Sequence, residues 1–149
     1  MVDNTLDNIW AYENETKVLG IINSYTIPNL RKKFPSMKWQ KGVTITNVES
    51  SLSKPTFPTI YVHELPGTEQ GRTLDWQNIN GVLTTFEVQT FTNTNQYDAK
   101  LMLAIVADVF KEMRFEITSM PEFKSDEKVY RSVARFRRIL GANDRLMDK

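Results

Sequence analysis

The residues able to do covalent or metal chemistry are few in this chain. It has one histidine, His63, and no cysteine. That excludes a disulfide framework, a thiolate metal site, a cysteine nucleophile and any histidine-rich metal site. Glu64, Glu69 and Asp75 lie close in sequence and carry oxygen ligands. Their spacing matches neither a calcium-binding loop nor the two-histidine zinc helix, so they read as a solvated acidic stretch. The run Gly67-Thr68-Glu69-Gln70-Gly71-Arg72 has two glycines but lacks the Lys-Ser/Thr that a phosphate-cradling loop needs after the second. Ser50, Ser51 and Ser53 stand outside any Gly-x-Ser-x-Gly elbow. The expectation is therefore no catalytic residue, no cofactor and no metal: a protein that works by binding.

Two polar features remain. Arg131, Arg135 and Arg137 recur at even spacing near the C-terminus, which puts them on one face of a strand, with Arg138 on the other. Like charges on one face repel. They must meet carboxylates of their own chain, or else an acidic partner subunit or phosphate along a channel; backbone phosphates would be attracted without sequence being read. The second feature is the run of Arg31, Lys32, Lys33, Lys38 and Lys41 around Trp39. It reads as a solvated helix end with Trp39 packed inward, or as a basic, aromatic nucleic-acid patch. The near-balance of charge, +1 overall, argues against a dedicated nucleic-acid module.

The elements that must carry these residues follow from hydrophobic period. Residues 5–25 read as a helix, with Leu6, Trp10, Val18, Ile21 and Tyr25 on one side and Ile9, Tyr12 and Leu19 on the other. A helix apolar on two sides in so small a chain needs a second cover, and a neighbouring subunit is the natural one. Pro28 is expected to end it or to open a short second turn. Residues 43–48 and 59–65 alternate and are rich in β-branched residues, so they read as strands. Residues 66–81 read as a long loop holding Trp76 and an Asn80-Gly81 turn signal. A strand follows at 82–92.

The clearest helix spans 93–113, capped by Thr94 or Asn95, with a Met102, Ile105, Val106, Val109 and Met113 stripe and with Leu101 and Phe110 at its margins. Residues 114–119 read as a strand ended by Pro121, and 128–140 as a long alternating strand. Residues 141–149 read as a flexible tail. The length of 149 residues and 40% hydrophobic content fit one folded domain. No basic region precedes an apolar one at the N-terminus, and no run approaches the ~18 apolar residues of a membrane span. The expected fold is α+β: a mostly antiparallel sheet of about five strands with two main helices on one face.

This order resembles the tail terminator (tail-completion) proteins of long-tailed bacteriophages over about residues 5–140. The resemblance runs from an N-terminal helix to Pro58-Thr59-Ile60-Tyr61-Val62, then to Gly71-Arg72-Thr73-Leu74. Gly81-Val82 follows, leading into Phe86-Glu87-Val88-Gln89-Thr90-Phe91. Next come the capped helix with its Arg114-Phe115-Glu116 exit and the strand ending Arg135-Phe136-Arg137-Arg138-Ile139. The resemblance implies a structural virion protein, assembled in the host cytoplasm and resident in the tail or neck. It implies a homohexameric ring at the head-proximal end of the tail tube, which stops tube polymerisation and offers the head–tail joining surface. Its partners would be its own copies, the tail tube protein, head connector or neck proteins, and genome DNA passing through the lumen unread. A neck or head-completion protein is the alternative within the class, and a small nucleic-acid-binding α+β module is the alternative outside it. On the ring reading, Ile9, Tyr12, Leu19, Arg72 and Trp76 are interface candidates, and Arg131, Arg135 and Arg137 face the lumen or a partner.

Overall fold

The computed structural model describes residues 8–33, 44–47, 58–72, 79–126 and 129–147; for positions 33, 70–72 and 119–126 it describes the backbone only. Helix α2, Gln96–Glu112, organises the core. The Asn95 side chain accepts the Asp98 N–H at 2.8 Å and starts it. Its buried stripe comprises Ala99, Met102, Leu103, Ile105, Val106, Val109 and Phe110. Phe110, expected at the margin, is its centre: it stacks on Phe136 at 4.4 Å and meets Phe115 edge-on at 5.1 Å. The helix ends with Arg114 at φ 67°. There Arg114 N–H bonds the Lys111 carbonyl and Phe115 N–H the Phe110 carbonyl, each at 3.0 Å. That is the Schellman arrangement, with arginine where glycine is usual.

Helix α1 runs Asn14–Lys33 and contains Pro28, which neither ends nor breaks it. Pro28 removes the bond to the Ser24 carbonyl, but both residues are exposed, so water can replace it. Burial of Ile22 on one side of the proline and Leu30 on the other holds the helix on its course. Residues Ile9–Tyr12 form a separate turn of 3-10 helix. Ile9 and Tyr12 therefore share no helical face with Leu19. Val18, Ile22 and Leu30 make one buried stripe, flanked by Leu19, Ile21 and Tyr25, so α1 is apolar on one broad side.

Among the described residues the sheet has five strands, β1 Thr44–Thr46, β2 Thr59–Arg72, β3 Ile79–Thr92, β4 Glu116–Asp126 and β5 Val129–Leu140, in the order β1-β2-β3-β5-β4. Only β1 with β2 is parallel. Both helices cover one face, making an α+β fold. Even-numbered residues of β2 up to Glu64, of β3 and of β5 point into the core, as Ile60, Val62, Phe86, Val88, Ala134 and Phe136 show.

Three expected breaks are absent. The loop expected at 66–81 is largely strand. Pro66 and Gly67 are absorbed in a bulge between Leu65 and Thr68, and β2 continues to Arg72. A Cβ on Gly67 would stand 2.9 Å from Val82 Cγ1, so the bulge needs glycine there. Asn80 and Gly81 lie inside β3, and Gly81 pairs with Gln70. Pro121 lies inside β4, an edge strand with register shifts around it, where a missing N–H is tolerated. At the C-terminus, Leu146 and Met147 pack against the core, and Asp144 Oδ2 accepts the Gly141 N–H at 2.7 Å. The segment expected as a loose tail is thus folded back as far as residue 147.

Candidate functional site

The sheet face away from the helices carries the arginine stripe. Register aligns His63, Glu87 and Arg135 on one rung, and Leu65, Thr85, Arg137 and Glu116 on the next. Arg135 Nη2 lies 2.9 Å from Glu87 Oε2, and its Nε donates to the same oxygen at 3.0 Å. Gln89 donates to the other Glu87 oxygen at 2.7 Å. Arg137 pairs with Glu116. The Arg131 guanidinium carbon sits 4.8 Å over the Phe91 ring. Of the two readings open for the stripe, pairing with the chain's own carboxylates describes Arg135 and Arg137. About half of each of these two side chains stays exposed, 52% and 49%, so a partner can still reach them. Arg138 points the other way. Its Nη1 donates to the Met113 carbonyl at 2.7 Å, placing a cation on the C-terminal end of α2.

The other predicted residues are dispersed. Tyr12 is 78% exposed and Ile9 38%, on the 3-10 turn that docks on the hairpin through Asn8 Oδ1, which accepts the Ile79 N–H at 2.9 Å. Leu19 packs against the core, so a change there tests folding before it tests assembly. Arg72 ends β2 opposite Ile79. Trp76, Asp75, Trp39, Lys38, Lys41, Ser50, Ser51 and Ser53 lie outside the described residues. Arg31 and Lys32 are exposed on the last turn of α1.

Among the described residues, two grooves bear on these side chains. The first, about 530 Å³, lies between the start of α1 and the β2 bulge and includes Tyr12, Glu15, Glu64, Leu65, Glu69 and Val82. Glu15 is its keystone. One of its carboxylate oxygens accepts the Asn47 side-chain N–H at 2.6 Å, and the other accepts the Glu64 backbone N–H at 3.0 Å. Strand β1 pairs with β2 only as far as Thr46 and Tyr61. Glu15 thus satisfies the next edge donor after β1 stops, a role that sequence reasoning missed. Burial, and secondly the Glu15 charge, push the Glu64 carboxyl up from 4.5 to about 6. The second groove, about 470 Å³, is lined by Leu83, Arg114, Glu116, Arg137, Arg138 and Ile139.

Among the described residues no group of three or more His, Asp or Glu is placed to hold a metal ion. His63 lies against Tyr61, ring centroids 5.5 Å apart, on the sheet face away from the helices. Among the described residues these surfaces offer charge and exposed apolar area. No protein-family model matches the chain, and no curated protein matches it. Among the described residues no helix is long and apolar enough to cross a membrane.

Proposed function

We propose that this chain is a ring-forming structural protein of the bacteriophage tail terminator kind. It would cap the head-proximal end of the tail tube and present the surface to which the head connector joins. In this role it makes and breaks no covalent bond. The observation that supports the reading best is the β2–β3 hairpin. Strand β5 pairs with β3 no further than Val82 and Leu140, while β2 and β3 pair on to Arg72 and Ile79. A hairpin that runs three residues of β3 past its pairing with β5 is suited to contact a neighbouring copy, and it lies in the segment where the family resemblance places neighbour contacts. A closed ring needs one patch of each copy to meet a different patch on the next. The test is electron microscopy of the purified chain, alone and with tail tubes. Rings with a central hole that bind one end of the tubes are expected. A chain that stays monomeric when concentrated, and that leaves tube ends bare, overturns the proposal.

A further inference from the structure

Four large apolar side chains are exposed among the described residues: Ile9, Tyr12, Tyr97 and Ile139. Two of them, Tyr12 and Ile139, line the two grooves. Tyr12 lines the first groove, and Ile9 belongs to the same turn. Ile139, 56% exposed, lines the second beside Leu83. The charged rims are opposite in sign. Among the described residues the first groove has Glu15, Glu64 and Glu69 and no lysine or arginine. The second has Arg114, Arg137 and Arg138 against Glu116, with Asp144 4.0 Å from Arg138, and keeps a net positive charge.

The two grooves share no lining residue, so each copy offers two separate patches, one for each neighbour in a closed ring. Arg114 adds a separate sign. A left-handed backbone at a residue bearing a Cβ costs stability, and residues kept in such conformations cluster at functional sites.

We infer that the acid-rimmed groove at Tyr12 of one copy receives the arginine-rimmed Leu83–Ile139 patch of the next copy, as the repeating head-to-tail contact. This rests on the ring reading above and names its interface. The match is an apolar centre with complementary charges around it, which gives orientation as well as attraction. The hairpin extension and this contact lie at the same end of β3, so both can form in one junction.

Both positions tolerate charge on the isolated fold because they are exposed. The variants are Tyr12→Arg, which puts a cation opposite the arginine patch, and Ile139→Glu, which puts an anion opposite the acidic groove. Sedimentation of the full chain reads assembly, and circular dichroism checks that each variant folds. Each single variant should lose the assembled species. Mixing the two in equal amounts should restore it, because the introduced cation then meets the introduced anion at one junction and the unaltered pair meets at the next. Single variants that assemble like the parent overturn this contact and leave the ring reading standing. A mixture that stays dissociated also overturns the contact. A parent chain that never assembles overturns both. Should either charged variant fail to fold, Tyr12→Ala and Ile139→Ala replace them; parent-like assembly of both alanine variants overturns the contact, and weakened assembly supports it.

Discussion

Arg114 offers the sharpest test of the local geometry. It sits at φ 67° at the end of α2, the position where glycine usually stands in a Schellman motif. A Cβ in that conformation costs roughly 1–2 kcal/mol. Glycine removes the clash but adds about 0.5–1 kcal/mol of unfolded-state freedom. At mid-range the difference leaves about 0.75 kcal/mol in favour of glycine over alanine at this site. Alanine is the right reference, because Arg114→Ala and Arg114→Gly lose the same side-chain interactions and differ in the backbone term. For a chain of this length the gain corresponds to roughly 2–3 °C in Tm. Paired urea and thermal unfolding would measure it, with the urea slope unchanged between the two variants. A glycine variant no more stable than the alanine variant would refute the left-handed cap, and with it the reason Phe115 turns back onto Phe110.

Two further outcomes follow from the bulge and the groove. Glu64 holds its proton more tightly folded than unfolded, so its ionised form costs stability above about pH 6, and that cost fades as pH falls from 6 toward 4.5. Glu64→Gln should therefore stabilise the fold by about 1 kcal/mol near neutral pH, half the ~2 kcal/mol that the shift alone implies, because the group is half exposed to solvent. The gain should vanish at about pH 4 in parallel urea titrations, and an equal gain at both pH values would contradict the assignment. Gly67→Ala would press a methyl to 2.9 Å from Val82 Cγ1 and 3.2 Å from the Leu83 carbonyl oxygen, and should destabilise by about 1–3 kcal/mol, read from the urea midpoint.

Much of the scaffold was legible because its signals are local. The Asn95 cap and the apolar period behind it specify α2, since a helix positions its own side chains by its own pitch. The alternation in β5 likewise separates Arg131, Arg135 and Arg137 from Ala134 and Phe136 with no knowledge of neighbours. The element order, and with it the α+β class, followed from these periods. The breakers misled. Pro28, Pro66, Asn80-Gly81 and Pro121 each permit a chain reversal, yet none of them ends its element. Whether a breaker acts depends on where its missing or displaced hydrogen bond falls. Pro28 faces solvent, Pro121 lies on an edge strand, and Pro66 sits in a bulge.

The sequence by itself determined which residues alternate, which stripe is apolar and that sulfur and histidine chemistry are scarce, because these are properties of composition and of near neighbours. Only the tertiary structure decided the partners: Glu15 beneath Glu64, Glu87 and Glu116 beside Arg135 and Arg137, and Arg138 on the last carbonyls of α2. Those pairs join residues 21 to 49 positions apart, a separation at which no sequence period operates. The charge that any partner meets is what remains after such pairing, so the surface had to be read from the fold.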